Sequence, residues 1–332
     1  MSRIYLTERG AKLEKNGGYY VISRENEKIV QIPIETIEGI TLINNTHMTS
    51  AVAMDCLQRN IPVNYLSSTR KYLGTMSSIK YVNILKEQEQ FRVYEDMDFR
   101  MALAKRIIFG KIYNQSIILK RYNRNRNNKK VEEVIKQINY EAEHLHCTQN
   151  IEEIMGYEGH IAALYFGGLG KLVDEKFQFS KRSKQPPKDK FNAMLSFGYT
   201  LLFYEFYNAL IEVGLNPYIG CIHALKNGHA ALVSDLMEPW RPAVIDTLCL
   251  AMISRGEMCS DYFETEEING GVYLNRIGRK VFLQKYEEKM KNTNKYFVNS
   301  YSWRHTIKLE AASYATCIMM KDGDKLKPMV IR

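Results

Sequence analysis

Residues 82–121 read VNILKEQEQFRVYEDMDFRMALAKRIIFGKIYNQSIILKR, and here the character of the chain changes. Leu, Ile, Lys, Glu and Gln dominate and no proline intervenes, so the spacing predicts one extended helix over about 84–121. Before this stretch, short runs such as RIYLTE, YYVIS, KIVQIPI and GITLI alternate or are rich in branched and aromatic residues, and turn signals divide them. Lys15-Asn16-Gly17-Gly18 is the clearest hairpin turn. One helical period interrupts the strands at about 49–59, with Ala51, Met54, Cys56 and Leu57 along one side. After 121 the helical character continues, with helices expected over roughly 129–146, 150–166, 280–291 and 305–321 and a brief strand and turn from 270. The expected fold is therefore α+β. A small β-rich domain over 1–82, a sheet or sandwich carrying one helix, precedes a larger all-α domain over 83–332.

At 332 residues the chain is long enough for two domains and a substantial core. Its 46 Lys and Arg against 37 Asp and Glu give a net charge of +9, a balance that favours an anionic partner, most commonly nucleic acid. The cysteines at positions 56, 147, 221, 249, 259 and 317 form no Cys-x-x-Cys pair and read as small buried hydrophobes in a reducing compartment. MSRIYLTERG lacks an apolar signal region, and no uncharged apolar run reaches the length of a membrane span. A cytoplasmic protein is expected.

Between Phe99 and Val131 there are ten cations and no acid, ending in RYNRNRNNKK with Arg121, Arg124 and Arg126. With Tyr113 and Tyr122 interleaved, the stretch reads as a surface for a phosphate backbone. KRSKQPPKDK at 181–190, with Lys181, Arg182 and Lys184, reads as a second basic element, a mobile loop that orders against a ligand.

Two distant stretches carry candidate chemistry. In NPYIGCIHALKNGHAALVSDLMEPWRP, 216–242, an Asn227-Gly228 reversal lets His223 approach Asp235, Glu238 and Arg241, which share one face if the segment turns helically. Pro239 and Pro242 keep that helix short or broken. An imidazole beside carboxylates and a guanidinium suits a divalent-metal phosphodiester site. In NIEEIMGYEGHIAALYFGGL, 150–169, Glu158 falls within an apolar face formed by Ile151, Ile154, Met155, Ile161, Ala162 and Tyr165. A carboxylate placed there must be protonated, paired with a cation or bound to a metal. His144, His146 and Cys147 are consecutive, face different ways and lack a fourth ligand. Nucleophile-elbow, kinase and dinucleotide fingerprints are absent.

IMGYEGHIAALYF, GLNPYIGCIHALKNGHAALVSDLMEPWRP and GGVYLNRIGRKVF, in this order, resemble the CRISPR-associated integrase of spacer acquisition, the Cas-one family, over essentially the whole chain. Ile161, where a smaller residue is usual, and Cys221, where an aromatic often precedes the histidine, depart from its pattern. The resemblance implies that Glu158, His223 and Glu238 are the catalytic ligands of a Mn²⁺ or Mg²⁺ ion, with Asp235 and Arg241 in support. It implies a metal-dependent DNA endonuclease and integrase that inserts spacer DNA by 3′-hydroxyl attack. It further implies a homodimer, formed partly through the N-terminal domains, that joins a dimer of the Cas-two protein on spacer precursor and CRISPR repeat DNA. Two other readings stand beside it: a non-catalytic nucleic-acid-binding scaffold in which Glu158 pairs with Arg241, and a partner-independent nuclease on branched or single-stranded DNA.

Overall fold

A computed structural model describes residues 2–25, 27–67, 72–296 and 299–331. The chain divides into compact units Met1–Val82 and Asn83–Arg332. In the first unit, β1 (Ser2–Leu6), β2 (Lys12–Asn16), β3 (Tyr19–Arg24), β4 (Glu27–Pro33), β5 (Ile37–Ile43) and β6 (His47–Met48) precede α1 (Ser50–Arg59), β7 (Val63–Leu66) and β8 (Tyr72–Met76). They form two four-stranded sheets, ordered β1-β5-β7-β8 and β4-β3-β2-β6. β5, central and parallel to both neighbours, is the near-continuous apolar run IEGITLI that two covered faces require. The hairpin expected at Asn16-Gly17 joins β2 to β3, with Gly17 at φ +57°. Ile4, Ile40 and Val63 from one sheet, Leu13 and Tyr20 from the other, and Val52 and Cys56 from α1 make one core.

α1 presents a different side from the one its apolar spacing suggests. Met54 is exposed while Val52, Asp55 and Cys56 are buried. The reason is electrostatic. Asp55 receives the Lys15 ammonium at 2.6 Å, the Tyr20 hydroxyl at 2.9 Å and Arg59 Nε at 3.1 Å, and satisfying that carboxylate fixes the helix rotation.

The second unit holds α2 (Ile84–Glu95), α3 (Met97–Asn123), α4 (Lys129–His144), α5 (Ile151–Gly170) and α6 (Lys190–Glu212). After these come α7 (Ala231–Leu236), a π-helical turn (Arg241–Asp246), α8 (Thr247–Ser254), α9 (Arg276–Lys291) and α10 (Trp303–Met320). The single helix expected over 84–121 is two, because the Asp96 side chain accepts the Phe99 amide hydrogen at 3.0 Å and starts α3 afresh. The unit is also not purely helical. Hairpins β9 (Phe263–Glu266)–β10 (Gly271–Leu274) and β11 (Thr293–Tyr296)–β12 (Asn299–Ser302) flank α9, which begins at Arg276 under an Asn275 cap. Of the cysteines, Cys147 and Cys259 are exposed and the other four are buried; all are free.

α3 runs through the middle of this unit, against α4, α5 and the π-helical turn. Its Gly110 lets the chain come close: an added Cβ would lie 3.0 Å from Pro328 and 3.5 Å from Pro239. One turn on, the buried Asn114 amide donates to Pro239 O at 2.7 Å and Met329 O at 2.9 Å and accepts from Ile331 N–H at 2.9 Å. α3 thereby fixes Pro239, next to Glu238, and the C-terminal segment 328–331.

Asp55→Ala removes the carboxylate shared by Lys15, Tyr20 and Arg59 and leaves the buried Tyr20 hydroxyl with only the weak Cys56 sulfur at 3.3 Å, at a cost of about 2–3 kcal/mol. Thermal unfolding measures it, and a loss under about 0.5 kcal/mol would mean that Asp55 merely fills space.

Candidate active site

Asp235, at the end of α7, is fully buried and organises the loop before it. Its Oδ2 accepts the amide hydrogens of Cys221 at 2.6 Å and Ile222 at 2.9 Å. Oδ1 accepts the His223 amide at 3.2 Å and the His223 ring through Nδ1 at 2.5 Å. Gly220 is required by this wrap, since a Cβ there would collide with Asp235 Oδ2. From the other side, Gln90 of α2 donates to Asn216 O at 3.0 Å and accepts from Asn216 N–H at 2.7 Å. The hydrogen bond to Asp235 raises the His223 pKa above its ordinary value, against the opposing effect of burial. At the Asn227-Gly228 reversal only Gly228 takes positive φ, +74°, and Lys226 pairs with His229 across it.

Asp235, Glu238 and Arg241 do not share one helical face. α7 ends at Leu236, and Pro242, with no N–H to donate, lies in a wider π turn closed by Thr247 N–H on Pro242 O. Asp235 turns to the His223 loop, whereas Glu238 and Arg241 pair with each other, Nε to Oε1 at 3.2 Å. The Arg241 guanidinium lies over the Tyr199 ring, 5.0 Å from its centroid. Tyr199 and Tyr165 both donate to buried Asp246, at 2.6 and 2.8 Å. Burial pushes the Asp246 carboxyl up to about 6.

Glu158 lies at the edge of the apolar face of α5, not in its middle. Ile154, Ile161 and Tyr165 are fully buried, Met155 points outward, and the Glu158 side chain is 27% exposed. It pairs with Lys111 of α3, and the same ammonium lies 2.5 Å from Glu238 Oε2. A side chain absent from the sequence-based site thus joins Glu158 to Glu238. Lys111 was visible by the argument used for Glu158, a lone charge in the apolar run IIFGKIY, but it merged with the long cationic stretch around it. Burial disfavours its charge, yet Glu238 and then Glu158 raise its pKa. Burial likewise raises the Glu238 carboxyl, but Arg241, Lys111 and His223 outweigh it and hold the group at about 2.

Among the described residues, no three His, Cys, Asp or Glu side chains converge closely enough to hold a metal as they stand. Glu158 and Glu238 meet on Lys111, and His223 interacts electrostatically with Glu238 while its Nδ1 stays on Asp235. The donors suit a cation nonetheless. Two carboxylates bracket a positive charge, and buried Glu238 Oε2 makes no hydrogen bond of acceptable geometry. Asp235, accepting at Nδ1, leaves Nε2 as the ring's lone-pair nitrogen.

The basic stretch of 99–131 divides. Arg100 donates to Cys221 O, Lys105 to His146 O and Thr148 O, and Arg106 binds Asp324, while Lys111 is buried. Lys120, Arg121, Arg124, Arg126, Lys129 and Lys130 are exposed at the α3–α4 turn. The run 181–190 is tied down, contrary to its reading as a mobile loop. Asn192 donates to Lys181 O, Lys188 Nζ to Asn269 O, and Val272 N–H to Pro187 O. Arg182 is anchored on Asn192, Ser196 and the Tyr199 ring. Lys181 and Lys184 are exposed. Partial burial, and then the charge of Arg241, lowers the Lys184 pKa, so Lys184 lies within the field of the site.

The family model described as CRISPR associated protein Cas1 matches residues 4–288. The chain is 32% identical to the CRISPR-associated endonuclease Cas1 3 of Thermus thermophilus over 86% of its own length and 84% of that protein's. Its fold is shared with a chain of a Cas6-RT-Cas1–Cas2 complex, at TM-score 0.85 and 22% identity, covering 99% of this chain and 36% of that one. A casposase bound to integration product gives TM-score 0.85 at 24% identity, covering 100% and 96%.

Behind the site, Trp240 Nε1 donates to buried Glu310 Oε2 at 2.8 Å, and burial pushes the Glu310 carboxyl up to about 8. The folded chain then holds this proton more tightly than the unfolded one. The Glu310 contribution to stability is therefore full below about pH 4.5 and erodes, by on the order of a few kcal/mol, as pH rises through 8. Glu310→Gln, which mimics the neutral acid, should flatten melting temperature between pH 5 and 8. An unchanged slope would show that Glu310 does not carry it.

Proposed function

The chain belongs to the Cas1 family of CRISPR-associated proteins, and on that premise we propose that it is a divalent-metal-dependent DNA endonuclease and integrase that inserts spacer DNA into a CRISPR array. The observation that carries this reading is the meeting of Glu158 and Glu238, far apart in sequence, on one buried positive charge, with Arg241 and the Asp235-held His223 beside them.

Glu158, Glu238 and His223 Nε2 would hold the ion. Mn²⁺ or Mg²⁺, when bound, supplies polarisation of the scissile phosphate and stabilises charge on the attacking or leaving 3′-oxygen. The chain's own residues do the rest. Asp235 fixes the His223 tautomer, Tyr199 beneath its guanidinium and Glu238 beside it aim Arg241, and Lys184 adds positive charge for a phosphodiester. In integration the 3′-hydroxyl of the incoming strand forms the new P–O bond, and the 3′-oxygen of the repeat strand leaves. In cleavage, water replaces that hydroxyl.

Spacer precursor and repeat DNA are the partners, together with a second copy of the chain and a Cas2 dimer. The complex and the integration product in which similarly folded proteins were solved support the Cas2 and DNA partners. The protein acts in the cytoplasm; no helix among the described residues is long and apolar enough to cross a membrane. The scaffold reading pairs Glu158 with Arg241, whereas Glu158 takes Lys111 and Arg241 takes Glu238.

Glu158→Ala, His223→Ala and Glu238→Ala should each lower strand transfer in Mn²⁺ by about 100-fold or more while duplex binding persists. Normal transfer by the Glu158→Ala protein would refute the site. Replacing Arg121, Arg124 and Arg126 with Glu should weaken duplex binding and reduce its salt slope by about 2–3. A slope equal to that of the wild type would mean the exposed turn is only solvated.

A further inference from the structure

Lys111 stands where few lysines do. It projects from the middle of α3, with Ile107, Ile108 and Ile112 buried around it in sequence, and its side chain is 9% exposed. An ammonium in that setting needs close anionic partners, since an unpaired buried charge costs several kcal/mol. Lys111 has two, Glu158 and Glu238, and both are the side chains read as ligands for the ion. With Arg241 on Glu238 the group of four is balanced, two positive charges against two negative. A divalent cation arriving on the same carboxylates upsets that balance, so the ammonium and the ion cannot both keep them. A DNA phosphate brings the missing negative charge.

We propose that Lys111 is an exchangeable counter-ion: it holds Glu158 and Glu238 together until a divalent cation displaces it, and the freed ammonium then takes a phosphate of the bound DNA. This deepens the metal-dependent reading above and rests on it. Binding of metal and of DNA then reinforce each other, because each supplies what the other leaves uncompensated.

The test is a calorimetric titration of Mn²⁺ into wild-type and Lys111→Met protein, with and without a duplex whose 3′ ends are blocked against transfer, alongside melting of the metal-free proteins. Without DNA, Lys111→Met should bind Mn²⁺ about 10-fold tighter and melt lower than wild type, because Arg241 still answers Glu238 but one negative charge is left uncompensated. In wild type the duplex should tighten Mn²⁺ binding by about 5-fold or more, and in Lys111→Met that gain should shrink to what the phosphate alone supplies. Equal Mn²⁺ affinity of the two proteins, or an undiminished gain in the variant, overturns the proposal and leaves the metal site standing. Failure of wild type itself to bind Mn²⁺ overturns the metal reading instead. Should Lys111→Met not fold, Lys111→Arg serves: its bidentate guanidinium holds the carboxylates harder and should weaken Mn²⁺ binding by about 5-fold, an unchanged affinity again counting against exchange.

Discussion

A carboxylate sealed from water must have every lone pair answered, and Asp235 meets that demand with three consecutive backbone amides and one imidazole. The loop from Asn216 to His223 has its shape for this reason. Gly220 is there because nothing larger clears the carboxylate, and the His223 ring is oriented because its Nδ1 is already committed. Most of the geometry of the site follows from one fully buried acid whose partners all lie within the preceding loop.

A second constraint is the arrangement of charge. Glu238 would be costly at its depth without Arg241 and Lys111, and Lys111 would be costly without the two glutamates. The elements that carry them, α3, α5 and the turn after α7, are separate in sequence and meet at these charged heads. The aromatic and acidic layer behind them, Tyr165, Tyr199 and Asp246, holds Arg241 from below, on a π-helical turn that Pro242 makes wider than an α-helix.

Much of this was legible in the sequence, for identifiable reasons. Strand alternation and the Asn-Gly-Gly hairpin marked the β-rich start, because side-chain period and turn chemistry are local properties. Glu158 stood out because a charge among Ile154, Ile161 and Tyr165 needs a partner wherever the chain folds. Which partner it takes is a long-range fact, and Lys111 was masked by neighbouring cations that do reach solvent. The rotation of α1 was hidden for a similar reason: Asp55 looks like a solvent residue until Lys15 and Tyr20 are placed around it. The break at Asp96 lies in a capping hydrogen bond that helical periodicity passes over. The division of labour between Asp235 and Glu238 depends on where a proline-interrupted helix stops, and spacing alone leaves both on one face.

The clasp that Asn114 makes on both Pro239 and the segment 328–331 has a consequence for how the domain holds its shape. A stretch more than two hundred residues downstream of α3 acts as a wedge against the bend that aims Glu238. Alterations near Pro328 therefore reach Glu238 mechanically, through a neutral amide, and a survey limited to the charged or aromatic side chains around that carboxylate would overlook the route.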